Sequence, residues 1–451
     1  MSNGMLSLLI VVLMIVLAFK TKRSLEVLTL GSLMSFIALY RGNFLTEWIS
    51  AIQKSLSDNV WIFLLCGFFG CIIALLEASG GSRGFERIAE RYCSNPRRTK
   101  LASFLLGTLI FVDDYLNVMT VGICMKKLYD RHKIPREMLA YVLDSTGAPI
   151  CVLLPFSTWA IFFSGLFAKE PWVQTLKMEP MKAYIHTIPF LFYPIFAVIL
   201  VFLLCMGWIP NLGPMRRAYA RTGRTGVTYG RDSAKYNILD VEEEDKGNVF
   251  DFLLPVLALI IISTVTGDVF LAVIACIGIC FVLYIPRRIL SVADFTAVCT
   301  RGFADMLPVL AMLLVAFTLQ KGLAGLGLTD YLLQIIAPGL IPQIFPALAF
   351  FLVAVLTFTT GSNWGMSAVS IPVIMPMGAA VGANVILAMA AIISGGAFGS
   401  HACFYADATL LSSQVSGIEN MDHALTQFPY VVIASSLAFV TYLIFGFLLP
   451  R

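Results

Sequence analysis

The sequence predicts an all-α polytopic membrane protein made of two inverted-topology repeats that contain re-entrant hairpins and broken helices. Composition is the first observation: 59% of the 451 residues are hydrophobic and 13% are charged, whereas a soluble domain is about 45–50% apolar and about 25% charged. The second is the recurrence of apolar stretches near the length of about 20 residues that a membrane-spanning helix needs. The third is a polar centre in the first half that has a counterpart in the second.

The first repeat is predicted at residues 1–207. Its early elements are three apolar spans and one amphipathic segment, at 5–19, 27–40, 60–77 and 41–59 respectively. A later stretch, 187–207, is apolar throughout and is predicted to cross the membrane.

A hairpin is predicted at 101–124, where Asp113 and Asp114 interrupt a stretch of spanning length. A charge near the bilayer midplane costs roughly 3 kcal/mol or more, so such residues are functional candidates by default. Basic residues flank the stretch on both sides, and basic loops stay in the cytoplasm. The segment is therefore expected to enter the membrane, turn at mid-depth and return. Residues 139–167 follow as a broken helix, interrupted at 144–149 and at Pro155.

A polar segment at 208–248 is predicted to be a cytoplasmic linker, because it has too few apolar side chains for a domain core. The second repeat, 249–451, then repeats the plan with a hairpin at 345–377 and a broken helix at 387–413. Its remaining elements are apolar spans and one amphipathic segment, at 249–266, 269–285, 305–319, 429–449 and 286–304 respectively.

The two polar centres align at an offset of 246 residues, which pairs Asp113 to Asn117 with Thr359 to Asn363. The next polar stretch, 144–148, aligns with 394–398 at an offset of 250. Self-similarity on this scale predicts two copies of one unit.

The distribution of basic residues predicts the orientation. If the first hairpin enters from the cytoplasm and every other span crosses once, 24 of the 31 Lys and Arg residues lie inside. This bias favours a cytoplasmic-membrane protein with its N-terminus outside, its linker inside and repeats of opposite topology. Inverted repeats whose broken helices meet at mid-depth are typical of secondary transporters.

Oxygen-bearing side chains dominate the predicted site. Asp113, Asn117 and Thr120 have the i, i+4, i+7 spacing of one helix face, and Asn363 opens the same pattern in the second half. Such oxygens suit Na⁺, and backbone carbonyls freed at the breaks 144–149 and 395–399 would add more. The predicted Na⁺ ligands are Asp113, Asp114, Asn117 and Asn363. Two adjacent acids in a low-dielectric site cannot both ionise easily without a cation, so H⁺ and Na⁺ would compete for them.

Further ion- or substrate-binding candidates are polar residues in the predicted breaks and the second half: Thr120, Asp144, Ser145, Thr146, Ser362, His401 and Asp407. Structural alternatives stay open for several of them. Asp113 and Asp114 could be a cap in a wet vestibule, and Asp144 could cap a helix at a kink. His401, interpreted as the one histidine within a span, could simply bond to backbone, and Gly395 with Gly399 could serve close helix packing.

Several function classes are disfavoured. The ten cysteines lack CxxC or Cys/His ligand spacing and are interpreted as buried apolar residues. No nucleotide-binding or hydrolase motif is present, so neither an ATP-driven pump nor an enzyme is expected. No cofactor or nucleic acid is expected; the expected partners are a small ion or small-molecule solute and membrane lipid.

These segments resemble the NhaC-type sodium/proton antiporter family over most of the chain except the linker. The matching motifs are Asp113 to Asn117 with Thr120 to Gly122, Asp144 to Thr146 through Pro149, Gly361 to Gly365, Gly399 with His401, Asp407 to Ser413, Asp422-His423, and Thr426-Gln427. The resemblance implies an elevator-type transporter with scaffold and transport parts, acting as a homodimer. It also assigns binding roles to Asp113, Asp114, Asn117, Asp144, Ser145, Thr146, Asn363 and Asp407.

One departure from the family pattern leaves two functions open. Ser400 replaces an acid, Phe404 a proline and Ala406 a hydroxyl residue that the family commonly has. The first hypothesis is Na⁺/H⁺ antiport, with acids at the hairpin tips binding Na⁺ and H⁺ alternately. The alternative is a Na⁺- or H⁺-coupled transporter or exchanger of an amino acid or small carboxylate, since the family includes sodium-coupled malate/lactate exchangers and relatives taken to move amino acids.

Overall fold

The computed structural model describes residues 3–21, 24–81, 93–111, 113–155, 157–168, 170–236, 248–266, 268–328, 331, 341–361 and 363–449. Within these ranges the regular structure is helical, without a strand. The prediction of an all-α protein is confirmed.

The first half supplies twelve of the described α-helices. They are α1 (Asn3–Thr21), α2 (Ser24–Tyr40), α3 (Phe44–Asp58), α4 (Val60–Ala78), α5 (Pro96–Leu109), α6 (Asp114–Arg131), α7 (Arg136–Thr146), α8 (Ala148–Leu153), α9 (Thr158–Phe167), α10 (Pro171–Gln174), α11 (Pro180–Thr187) and α12 (Phe192–Met206).

The linker and the second half supply the rest. They are α13 (Gly213–Thr225), α14 (Val249–Thr266), α15 (Val269–Tyr284), α16 (Val292–Asp305), α17 (Leu307–Gly325), α18 (Phe345–Thr360), α19 (Asn363–Val381), α20 (Val385–Ala402), α21 (Asp407–Ser416) and α22 (Asn420–Leu448).

Among the residues that the structure describes, three helical stretches are individually long and apolar enough to cross a membrane: 25–58, 385–416 and 420–448. Two further pairs, 136–153 with 158–167 and 180–190 with 192–206, qualify if each bent pair counts as one span. The bends are 48° and 52°. Apolar helices of this length are the signature of an integral membrane protein.

Helices from the two halves pack against each other in one group. α2 contacts α17, while α4 contacts α15 and α16. Where α4 crosses α16, a Cβ on Gly302 would come within 2.3 Å of the Gly70 carbonyl oxygen. Small residues at such crossings let two backbones approach closely.

The remaining membrane helices form a second group around the hairpins and breaks. α5 and α6 pack as one helical hairpin, and α18 and α19 as another. Gly361, at the tip of the second hairpin, has a φ of +70°, a left-handed conformation that glycine adopts without steric cost. α20 lies along α18, and α21 lies against both α6 and α7.

Three pairs of helix starts in the two halves are separated by the same number of residues. Asp114 and Asn363 begin the second helix of each hairpin, Arg136 and Val385 the next helix, and Thr158 and Asp407 the one after the break. All three pairs are 249 residues apart. This interval differs from the offsets of 246 and 250 predicted from the polar residues, and a repeat with this interval would match Asn363 with Asp114, not with Asn117.

The predicted unwinding at 395–399 is wrong, because α20 is continuous through these residues. The second half breaks instead at 403–406, between α20 and α21. Gly395 and Gly399 allow close packing on α18: added Cβ atoms would lie 2.6 Å from the Phe350 carbonyl oxygen and 2.3 Å from Thr357 Cβ. The packing interpretation of these glycines is the right one.

The first half is interrupted at both predicted places, at Gly147 within 144–149 and next to Pro155. Asp144 to Thr146 form the last turn of α7, and Gly147 alone separates this helix from α8. The linker also has more structure than predicted, since α13 buries Met215, Ala218 and Thr222 against the membrane helices.

Candidate functional site

The tip of the first hairpin is organised by Asp113, which caps α6. Its Oδ1 accepts hydrogen bonds from the backbone amides of Tyr115 (3.0 Å) and Leu116 (3.2 Å). Its Oδ2 accepts one of 3.2 Å from the hydroxyl of Thr158, the first residue of α9. Asp113 therefore lies before the helix and has both oxygens in use, as an N-cap does. Its predicted place in a row with Asn117 and Thr120 is wrong.

The row of oxygens on α6 instead begins at Asp114. Asp114, Asn117 and Thr120 follow one another at intervals of three residues, which keeps them on one side of the helix. All three are at most 2% exposed. Asp114 Oδ1, Asn117 Oδ1 and Thr120 Oγ1 have no hydrogen-bond partner among the described residues. Buried oxygens without partners are costly, so such a row is suited to a bound cation.

The amide nitrogen of Asn117 holds three chain segments together. Nδ2 lies within hydrogen-bond distance of three carbonyls, which share its two hydrogens: those of Gly107 near the end of α5, Ile110 (2.8 Å) and Thr146 at the end of α7 (3.0 Å). The amide thus satisfies carbonyls that helix ends leave unpaired. It also fixes α7 beside the oxygen row.

Asp407 begins α21 and connects the two halves of the site. Its Oδ2 accepts a hydrogen bond of 2.5 Å from the Tyr115 hydroxyl on α6. Tyr405, in the break before it, donates to the Thr359 carbonyl at the tip of the second hairpin (2.5 Å). The unwound stretch 403–406 therefore touches one hairpin tip, while Asp407 touches the other.

Asp144 lies at the centre of a buried network. Its Oδ2 accepts hydrogen bonds from Thr409 Oγ1 (3.1 Å), His423 Nε2 (3.0 Å) and Gln427 Nε2 (2.9 Å). Its Oδ1 has no partner among the described residues. The carboxylate joins α7, α21 and α22 and is not a helix cap.

His423 and Gln427 were missed as site residues. The interpretation of His401 as the one histidine within a span is wrong, because His423 lies in α22 and is fully buried. The available signal was their spacing of four residues at the start of a spanning helix, which places both on one face. The long-range partner, Asp144, could not be read from that spacing.

His401 lies in the last turn of α20 and has both ring nitrogens bonded. Nδ1 is 2.8 Å from the Tyr193 hydroxyl, and Nε2 is 3.1 Å from the Ser145 hydroxyl. The Tyr141 ring lies parallel to the imidazole, with ring centroids 6.2 Å apart. The Ser145 hydroxyl is therefore hydrogen-bonded to His401, while the Thr146 carbonyl accepts a hydrogen bond from Asn117.

Asn363 remains within the second half. Its Oδ1 accepts a hydrogen bond of 3.0 Å from Ser367, and a Cβ on Gly396 would lie 2.2 Å from that oxygen. Among the described side chains no hydrogen bond joins Asn363 to Asp113 or Asp114. Ser362 lies outside the described residues.

Acidic side chains predominate around the hairpin tip. Asp407 interacts electrostatically with Asp113, Asp114 and Asp144, and Asp113 interacts with Asp114. Within the described ranges, no three His, Cys, Asp or Glu side chains are placed to hold one metal ion.

Comparison with known proteins gives one family. A sequence model of the Na⁺/H⁺ antiporter family matches residues 150–447. An uncharacterised protein of Haemophilus influenzae is 27% identical, over 99% of this chain and 92% of its own length. The structure of Neisseria gonorrhoeae MtrF, described as illuminating a class of antimetabolite efflux pumps, is 12% identical with a TM-score of 0.34, covering 100% of this chain and 96% of that one. At that TM-score the likeness supports no conclusion about function.

Proposed function

Because the chain belongs to the Na⁺/H⁺ antiporter family, a family of membrane transporters and not of enzymes, we propose that it exchanges Na⁺ for H⁺ across the cytoplasmic membrane. The observation that carries this proposal is the row of buried, unpartnered oxygens on Asp114, Asn117 and Thr120. A carboxylate, an amide carbonyl and a hydroxyl are the ligands that a hard cation selects. Asp114 contributes the charge that balances the ion.

The arrangement of helices supports an inverted-repeat transporter. The interval of 249 residues between three pairs of helix starts is expected for two copies of one unit. The contacts also match in pairs: α2 with α17 corresponds to α15 with α4, and α5 with α6 corresponds to α18 with α19. In this scheme α1 to α4 and α14 to α17 form a scaffold, and the hairpins and broken helices form the moving part of a homodimeric elevator.

The orientation predicted from the basic residues fits the packing of the linker. The Arg136 amide donates to the Thr228 carbonyl (2.8 Å), so the linker lies at the same end as the basic loop after α6. Both belong in the cytoplasm under the positive-inside rule. A reporter that is active only in the cytoplasm is expected to be active when it is fused after residue 236.

The alternative, coupled transport of an amino acid or small carboxylate, has less structural support. Phe404 and Tyr405 are both buried and pack on each other with ring centroids 4.8 Å apart. Two cavities, of about 520 and about 380 Å³, are lined by residues other than Phe404 and Tyr405.

Proteoliposomes that contain a trapped pH-sensitive dye test the proposal. An imposed Na⁺ gradient should move protons without any added organic solute. Asp114→Asn should abolish the signal, while Asp268→Asn, the same change at an exposed helix cap, should leave it intact. A response that appears only with an added amino acid or carboxylate would favour the alternative.

A further inference from the structure

Two histidines are buried near Asp144, and their ring nitrogens differ in their bonding. Both nitrogens of His401 are bonded to neutral hydroxyls, of Tyr193 and Ser145. His423 has Nε2 at 3.0 Å from the Asp144 carboxylate. Its Nδ1 has no hydrogen-bond partner among the described residues, although the side chain is fully buried.

This difference decides which ring can take up a proton. A hydroxyl can donate to one nitrogen of a neutral ring and accept from the other, so His401 is satisfied without charge. An ionised carboxylate only accepts, so Nε2 of His423 must carry a hydrogen. Of the ring nitrogens of the two histidines, Nδ1 of His423 is therefore the one where a second proton can be added. The Asp144 carboxylate next to the ring stabilises the resulting imidazolium.

We propose that His423, paired with Asp144, is the proton-carrying site of the exchange and is separate from the Na⁺ row that begins at Asp114; this rests on the proposed function. In the step, Nδ1 of neutral His423 accepts a proton and the ring becomes an imidazolium with hydrogens on both nitrogens. Asp144 stays ionised. The charge of the pair changes from −1 to 0, and no other bond is made or broken.

The geometry couples this pair to the Na⁺ row. Asp144 lies in the last turn of α7, whose terminal carbonyl at Thr146 is bonded by Asn117. A Cβ on Gly147, the next residue, would lie 3.7 Å from Asp114 Cβ. In a site of low dielectric, Na⁺ at Asp114 and a proton on His423 compensate the same excess of negative charge. Binding of one therefore favours release of the other.

The titratable groups that face the pair come from four helices. They are Asp144 and Tyr141 on α7, His401 on α20, Asp407 on α21 and Tyr193 on α12. The nearest along the chain are Glu419, which precedes α22, and Asp422 and Tyr430 on α22 itself. Asp407 is already bonded to Tyr115, and His401 to two hydroxyls. Neither group competes with His423 for the Asp144 carboxylate.

The test compares two fluxes in His423→Gln, because Gln can still donate to Asp144 but cannot be protonated. In proteoliposomes, Na⁺-driven proton movement should fall at least about tenfold, within the range of ordinary coupling free energies. Exchange of radioactive Na⁺ for Na⁺ at equal pH should persist. His186→Gln, at an exposed histidine of α11, should change neither flux.

Three results are decisive. Proton movement at the wild-type rate in His423→Gln would overturn the inference, and so would loss of proton coupling in His401→Gln with Na⁺/Na⁺ exchange retained. Absence of Na⁺-driven proton movement in the wild type would instead refute the proposed function itself.

A measurement on the wild type covers the case in which His423→Gln does not fold. The infrared difference spectrum induced by Na⁺ should show the loss of imidazolium bands, since Na⁺ displaces the histidine proton. Loss of the carbonyl stretch of a protonated carboxyl group, without an imidazolium change, would place the proton on an acid such as Asp114 and overturn the inference.

Discussion

The guanidinium of Arg221 forms two parallel hydrogen bonds with the carboxylate of Glu137, of 2.7 and 2.9 Å. Arg221 belongs to the linker helix α13, and Glu137 lies in the first turn of α7. The Glu137 side chain is 2% exposed and that of Arg221 is 28% exposed. Bidentate pairs of this kind are the strong ones, since both charge and geometry match.

Further contacts attach the linker to α22. The Tyr430 hydroxyl accepts a hydrogen bond from the Leu212 amide (2.7 Å), and the Ser233 hydroxyl accepts one from the Glu419 amide (2.8 Å). The linker therefore contacts both α7 and α22, the helices that carry Asp144 and His423.

Arg221→Gln should destabilise the protein by about 2 kcal/mol. Breaking a fully buried ion pair costs about 3–5 kcal/mol, and the expected loss is smaller because Arg221 is partly exposed. The cause is the unpaired Glu137 carboxylate that remains. Thermal unfolding in detergent, followed by intrinsic fluorescence, measures the loss. Arg217→Gln, at an exposed residue of the same helix, is the control.

The double variant Arg221→Gln with Glu137→Gln should recover much of this loss, because no buried charge is then left alone. A double variant as unstable as the sum of the singles would show that the two residues act independently.

Asp114→Asn should abolish Na⁺-driven proton movement, whereas Asp113→Asn should retain much of it. Asn is as good an N-cap as Asp, so the bonds to the amides of Tyr115 and Leu116 can persist. Asp114 has a free oxygen whose charge Asn cannot supply. Vesicle flux assays on both variants, at matched expression, distinguish them. Equal inactivation would mean that Asp113 also carries charge for the transported ion.

Thr120→Val should raise the KM for Na⁺ with little change in maximal rate. The substitution keeps the shape of the side chain but removes a hydroxyl that has no other partner among the described residues. If the lost hydroxyl contributes about 1.4 kcal/mol to Na⁺ binding, the affinity for Na⁺ falls about tenfold. Thr108→Val, on α5, is the matched control because its hydroxyl bonds only locally to the Phe104 carbonyl. An unchanged KM in Thr120→Val would remove Thr120 from the site.

Gly395→Ala should destabilise the packing of α20 on α18 by about 1–3 kcal/mol. The new Cβ would lie 2.6 Å from the Phe350 carbonyl oxygen and 2.9 Å from Val353 Cβ. Gly165→Ala, in α9, is the comparison, since its Cβ would meet nothing within 4 Å and Ala favours a helix. The unfolding temperature should fall in Gly395→Ala and rise in Gly165→Ala.

The sequence by itself determined the membrane class, the helical hairpin around 101–124 and the position of two acids at the tip of that hairpin. These features depend on composition and on local polar interruptions of apolar runs, which need no tertiary information. The same reasoning could not separate Asp113 from Asp114, because adjacent residues share every local property. Only the start of α6 decides that the first is a cap and the second belongs to the oxygen row.

Tertiary structure alone decided the pairing of Asp144 with His423, which are 279 residues apart. It also decided that Gly395 and Gly399 continue a helix, since glycine serves unwinding and close packing equally well and only the neighbouring backbone distinguishes the two. The physical reason is the same in each case: local sequence fixes which residues are polar, small or apolar, and the partner across the helix interface fixes what each of them does.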